Sequence, residues 1–294
     1  MTTADTALAP PVKSRVTLAM ILTALGAALG GLLFGFDTAV ISGATSALQE
    51  RFTLSEGALG FTVASALIGT VIGSLVSGWP SDRYGRRPML LVVAICYVVS
   101  SLGTGLAPDW YSLLAFRFLG GLAIGAASVV TPIYIAEVAP THVRGRLVAL
   151  NQLNIVLGIL LAFLSNYVIA SLAPADVAWR WMFAVVAAPS VLFLVVTFLL
   201  PDSPRWLVVN GREGEARGVM TRLGFIDPEA EVAHMRQATA RDVAAAKPSL
   251  FQSAYSVPVT CAIAIAMFNQ LSGINALLYY APRIFELGGA GADS

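Results

Sequence analysis

Seven stretches of this chain run for about 20 residues or more with almost no charge, the length a helix needs to cross the hydrocarbon core of a bilayer. They fall at about 17–43, 58–79, 88–107, 111–137, 147–171, 179–200 and 257–281. Charged residues make up 12% of the 294 positions and hydrophobic ones 57%, against about 25% charge in a soluble domain. The expectation is an all-α protein that lives in a membrane. The first run is too long for a secretory signal core and lacks an obvious cleavage site, so it reads as a retained span.

The charges outside the runs set out the organisation. Residues 1–16 form a polar tail, 17–200 hold six spans, 201–250 form a polar linker, and 251–294 carry the seventh span and a short end. In the linker, Ser203 followed by Pro204 reads as an N-cap and first helical residue, and Asp227-Pro228-Glu229 reads as a second helix start. If the N-terminus is cytoplasmic, 14 of the 18 Lys and Arg residues, among them Lys13, Arg15 and Lys247, fall on the cytoplasmic side. The positive-inside rule then places the tail and the helical linker in the cytoplasm.

Two charges break the apolar runs. Asp37 lies in the first span and Arg117 in the fourth. A charge at such depth costs several kcal/mol unless it is paired, hydrated or neutralised, and in membrane proteins it marks a pathway for something that moves. An internal repeat relates the two spans: Leu29-Gly30-Gly31-Leu32-Leu33-Phe34-Gly35 against Leu119-Gly120-Gly121-Leu122-Ala123-Ile124-Gly125. With the N-terminus inside, span one runs outward and span four inward, an inverted repeat of three spans each. Close helix packing in general is the other source of such glycines. Asp37 lies seven residues past the middle of its span and Arg117 seven before the middle of its own. At ~1.5 Å per residue both sit roughly 10 Å to the outer side of the midplane. They are level, and they touch if spans one and four are neighbours.

The loop after span two reads Gly78-Trp79-Pro80-Ser81-Asp82-Arg83-Tyr84-Gly85-Arg86-Arg87. Pro80 reads as the end of one helix, Gly85 as a tight turn and Pro88 as the start of the next. This spacing resembles the loop signature of the major facilitator superfamily. Three further segments resemble its sugar porter family: Pro132-Ile133-Tyr134-Ile135-Ala136-Glu137 with Arg144-Gly145-Arg146, then Pro201-Asp202-Ser203-Pro204-Arg205, then Asn269-Gln270-Leu271-Ser272-Gly273-Ile274-Asn275 ahead of Tyr279-Tyr280. The resemblance spans about residues 17–290 and implies the six-helix N-terminal half of a major facilitator fold, a cytoplasmic helical insert and one helix of a C-terminal half. That family has twelve spans, so the chain looks partial, and the missing half would be needed for a full transport pathway.

The resemblance also implies roles. Asp37 matches a proton-coupling acid and Arg117 its partner. Asp82, Arg86, Arg87, Glu137, Arg144, Asp202 and Arg205 match a cytoplasmic charge network. Phe34, Gln152, Asn269, Gln270, Asn275 and Tyr279 map to sugar contacts. Amides suit sugars because each offers a donor and an acceptor to neighbouring hydroxyls. Gln270 and Asn275 lie about 140° apart on a straight helix, so a break near Gly273 is expected to aim both at one cavity. Ile159 stands where some relatives carry another glutamine, and Asp202 where glutamate is usual.

The resulting expectation is a multi-pass plasma-membrane carrier of a monosaccharide or polyol, driven by the proton gradient without a cofactor. The rivals are a facilitated uniporter and a sensor-like or truncated membrane fragment. His142 and His234 lack metal-ligand spacing, and no nucleophile or nucleotide motif points to an enzyme. A net charge of +1 gives no electrostatic case for nucleic acid. Cys96 and Cys261 lie in apolar runs and read as buried, inert thiols.

Overall fold

A computed structural model describes residues 16–244 and 255–288; the tail through residue 15, the end of the linker (245–254, with Lys247) and residues 289–294 lie outside the described residues. The described chain is helical throughout. Its helices are α1 (Leu18–Val40), α2 (Thr45–Arg51), α3 (Glu56–Val76), α4 (Gly78–Tyr84), α5 (Arg86–Leu106), α6 (Trp110–Val138), α7 (Arg144–Leu172), α8 (Ala175–Ala184), α9 (Ala187–Leu199), α10 (Pro204–Val209), α11 (Glu213–Leu223), α12 (Pro228–Ala244), α13 (Ser256–Leu271) and α14 (Ile274–Leu287). A 3-10 turn, Ile41–Gly43, joins α1 to α2.

Seven of these stretches, with α8–α9 and α13–α14 each taken as one, are long and apolar enough to cross a membrane. Starts are set by side-chain caps: Thr17 accepts from Met20 N–H, Ser55 from Ala58 N–H, and Asp109 forms a capping box with Ser112. Outward faces carry bare apolar side chains such as Leu75, Leu160, Leu164, Phe198 and Phe268. Such faces suit lipid and not water. The chain is an integral membrane protein.

Helices meet in lipid by close packing rather than by the hydrophobic effect, and the repeated glycines show where. A methyl group on Gly31 or Gly35 of α1 would overlap α7 at Asn151 and the Ile155 carbonyl. On Gly121 or Gly125 of α6 it would overlap α3 at the carbonyls of Ala66 and Thr70. The contacts are reciprocal: Gly158 of α7 lies on the Leu32 carbonyl, and Gly73 of α3 lies on the Leu122 carbonyl. Each repeated segment therefore packs on the middle span of the opposite half. At the centre, Gly30 lets α1 cross α6 against Ala127 and Thr131.

Several spans are broken. Span six divides at Val185–Val186 because Pro189 has no N–H to offer the Val185 carbonyl, which accepts from Ala188 instead at 3.1 Å. Span seven divides at Gly273, whose φ is +74°. Span one tightens at Ile41–Gly43.

Two expectations are corrected. Pro80 does not end a helix: it lies in the first turn of α4, where its absent N–H is not needed, and the break falls at Ser77. Cys261 is exposed and Cys96 half-buried. α13 packs on α14 and none of its residues is buried, so the described bundle leaves Cys261 uncovered.

The insert α10–α12 docks on one end of the bundle. Ser203 caps α10 and Asp227 caps α12, the latter accepting from Ala230 N–H at 3.0 Å. Trp206 of α10 lies over Gly85, whose φ is +101°, and donates from Nε1 to the Asp82 carbonyl at 2.8 Å. Thr17, at the start of α1, donates to the Leu223 carbonyl at the end of α11 at 2.7 Å.

Candidate functional site

Asp37 and Arg117 face each other across the α1–α6 crossing. Arg117 Nη1 donates to both carboxylate oxygens, at 3.2 Å to Oδ1 and 3.1 Å to Oδ2. Asp37 is 6% exposed and Arg117 3%. The Phe183 ring stands 5.3 Å from the guanidinium carbon, a cation–π contact from α8. The pair thus satisfies much of its own charge in a place water barely reaches. Burying two such ions is tolerable only with this kind of geometry, and removing one strands the other.

The pair lines a cavity of about 340 Å³ between α1, α3, α6, α7 and the broken seventh span. All six residues expected at a sugar site line it: Phe34 from α1, Gln152 from α7, Asn269 and Gln270 from α13, and Asn275 and Tyr279 from α14. The break at Gly273 makes this possible. It bends the span so that Asn275 Nδ2 donates to Gln270 Oε1 at 2.8 Å, and the Ser272 hydroxyl takes up the Asn269 carbonyl at 2.6 Å. After their mutual bond, Gln270 keeps its amide donors and Asn275 its carbonyl oxygen for a hydroxyl-rich ligand. Apolar walls come from Phe34, Ile124, Ile155 and Ile159.

Sequence reasoning missed Thr38 and Thr70, which also line the cavity. Each donates its proton to its own helix, to the Phe34 carbonyl at 2.8 Å and the Ala66 carbonyl at 2.9 Å, and keeps acceptor capacity. A signal existed for Thr38, which follows Asp37. None existed for Thr70, which is placed by the α3–α6 packing.

At the insert end, the residues of the expected charge network separate into three groups. Arg86 bridges Asp82 (3.0 Å) and Glu137 (2.9 Å), and Glu137 also accepts from the Ser203 hydroxyl at 2.6 Å. This ties α4, α5, α6 and α10 at one point. Arg87 pairs differently from the expected network: it donates to the carbonyls of Thr197 (3.4 Å) and Phe198 (2.7 Å). α9 ends there with unspent carbonyls, which a cation near the C-terminus satisfies. Arg144 and Arg205 line, with Glu137, Glu231 and His234, a separate cavity of about 330 Å³. Asp202 lies in the short connection before the Ser203 cap.

The described residues thus form a membrane-embedded helix bundle in which a broken span and a buried ion pair line one amide-bearing cavity. Residues 23–293 match the family model described as "Sugar (and other) transporter". The chain belongs to that family, the sugar porters of the major facilitator superfamily.

It is similar to the D-xylose transporter of Levilactobacillus brevis, with 39% identity over 91% of this chain and 58% of that protein. It is also similar to the D-xylose-proton symporter of Escherichia coli K12, with 37% identity over 92% of this chain and 61% of that protein. Among solved structures, the proton:xylose symporter XylE bound to 6-bromo-6-deoxy-D-glucose superposes with a TM-score of 0.85 at 35% identity, covering 95% of this chain and 65% of that one. The chain therefore spans less than two thirds of the length of these relatives.

Proposed function

We propose that the chain serves proton-coupled uptake of a monosaccharide or polyol by alternating access, with the N-terminal tail and insert in the cytoplasm and the protein in the cell membrane. The observation that carries this reading is the buried Asp37–Arg117 pair on the wall of the amide-lined cavity. The relatives named D-xylose-proton symporter and arabinose-proton symporter support it.

Protonating Asp37 neutralises the carboxylate and removes most of its attraction for Arg117, so the balance of forces between α1 and α6 depends on the proton. Sugar hydroxyls bind Gln152, Asn269, Gln270 and Asn275, and Phe34 and Tyr279 shield them. At the insert end, the Arg86–Glu137–Ser203 junction, together with Arg144 and Arg205, holds one of the two states. The proton supplies the energy, about 2.3 kcal/mol per 100 mV of membrane potential.

The test is uptake of a panel of pentoses, hexoses and polyols by proteoliposomes of the intact protein, with and without a protonophore. Accumulation that the protonophore abolishes is the expected result. Equilibration without accumulation, unaffected by the protonophore, would make the protein a uniporter in which Asp37–Arg117 is a structural pair.

A further inference from the structure

Asn166 has no part in the cavity or in either charge cluster, yet it is 6% exposed and sits in an apolar span. Its partner is the backbone of span one. Where α1 gives way to the 3-10 turn, Ala44 N–H bonds the Ile41 carbonyl at 3.0 Å instead of the carbonyl of Val40. The Val40 carbonyl thereby loses its α-helical donor and, within the tighter 3-10 turn, keeps a lone pair free for a second donor. Asn166 Nδ2 reaches across from α7 and donates to it at 3.0 Å. The fit is close on both sides: a methyl group on Gly43 would lie 2.6 Å from Asn166 Nδ2. The amide of α7 thus supplies, at the break, a bond in place of the lost α-helical one.

The break has a position and neighbours that matter. It begins four residues after Asp37, on the same helix as the ion pair. α14, which carries Asn275 and Tyr279, packs on the 3-10 turn. Around Asp37, α6 contributes Arg117, and Tyr97 of α5 and Tyr279 of α14 stand within Coulombic reach; α7 contributes the neutral Asn166 beside the turn. The other half of the repeat has its own device at this register. Pro132 of α6 falls ninety positions after Ser42, the offset of the repeat, and interrupts the backbone ladder there. One first helix of the repeat loses a backbone bond to its own proline, and the other tightens into a 3-10 turn that takes an amide from a neighbour.

We propose that Asn166 is a positioning residue for proton coupling: by holding the break in span one through the Val40 carbonyl, it fixes the aim of Asp37 at Arg117 and the surface on which α14 closes. This rests on the proton-symport reading above. If the hold is lost, Asp37 is less firmly paired with Arg117, and the coupling that depends on the pair weakens.

The test uses the intact protein in proteoliposomes, with two variants from opposite sides of the contact. Asn166→Ala removes the donor, and Gly43→Ala pushes it away. Both are expected to lower proton-driven accumulation about tenfold, the worth of one buried hydrogen bond of about 1.4 kcal/mol. Both are expected to change the pH profile of uptake, with proton-independent sugar counterflow kept within about twofold of the wild type. Loss of counterflow together with uptake would overturn the proposal, because Asn166 would then only prop the fold. So would wild-type accumulation and pH profile in both variants while Asp37→Asn removes the pH dependence. If Asp37→Asn itself leaves uptake pH-dependent, the symport reading has failed and takes this proposal with it.

Discussion

Removing Arg117 alone should cost far more than removing the whole ion pair. At 3.1 Å and an effective dielectric of about 20, the gross attraction between the two charges is about 5 kcal/mol. Taking both ions out of water offsets most of that gain, so the pair as a unit contributes little net stability. The single variant has no such cancellation. In Arg117→Leu the Asp37 carboxylate, 6% exposed in the native chain, loses its counter-ion, and the expected loss is about 3–5 kcal/mol. Asp37→Asn should cost less, about 2–3 kcal/mol, because the amide oxygen can still accept from Arg117 and the guanidinium keeps the Phe183 ring. The double variant Asp37→Asn/Arg117→Leu should recover to within about 1–2 kcal/mol of the wild type, a coupling energy of about 3 kcal/mol or more. The assay is reversible unfolding in mixed micelles of dodecyl maltoside and SDS, followed by tryptophan fluorescence, for all four corners of the cycle at neutral pH. An Arg117→Leu loss below about 1 kcal/mol with no recovery in the double variant would refute the reasoning. It would mean that water screens the pair and that neither charge is truly buried.

Other expectations follow from the packing and the site. Gly35→Ala and Gly125→Ala place a methyl group on the Ile155 and Thr70 carbonyls and should each destabilise by about 1–3 kcal/mol in the same assay, while Gly60→Ala, with nothing within 4 Å, should be neutral or stabilise by up to about 1 kcal/mol. Gln270→Ala removes an amide that faces the cavity and bonds Asn275, and sugar affinity by isothermal titration should fall about 10- to 100-fold. Arg212 donates two side-chain hydrogen bonds to Glu215 and holds its carboxyl below the usual carboxylate range. The stabilisation this gives is present above the unfolded-state value and fades as pH falls through the lower folded value, so local protection of α11 in hydrogen exchange should weaken on acidification, and Glu215→Gln should remove that dependence.

Much of the fold follows from local chemistry that a sequence displays. Run length and scarcity of charge locate the spans, and Ser, Thr and Asp before Pro or Glu locate helix starts. The level of Asp37 and Arg117 follows from counting along two antiparallel helices. Gly273 between Gln270 and Asn275 announces a break, because two amides 140° apart cannot otherwise share a cavity. Pro189 carries the same kind of signal for span six, where it denies the Val185 carbonyl its helical donor inside an otherwise uniform apolar run. The break at Ile41–Gly43 carries no proline. It depends on Asn166, which is 126 positions away, and no local pattern could reveal it. The resemblance implies a place for Arg87 in a charge network. Which acceptor it meets, carbonyls at the end of α9 rather than a carboxylate, is decided by where α9 ends against α5. The exposure of Cys261 likewise depends on which helices cover α13, a matter of tertiary packing and not of hydropathy.

The central claim is that Asp37 is the proton's binding place in a sugar carrier. It is tested most directly by proton flux under a sugar gradient: the intact protein in proteoliposomes with an internal pH dye, given an accepted sugar from outside, for the wild type and Asp37→Asn. The account predicts sugar-evoked acidification of the lumen in the wild type and none in Asp37→Asn, which should still exchange labelled sugar across the membrane. Sugar-evoked acidification that persists undiminished in Asp37→Asn would contradict it.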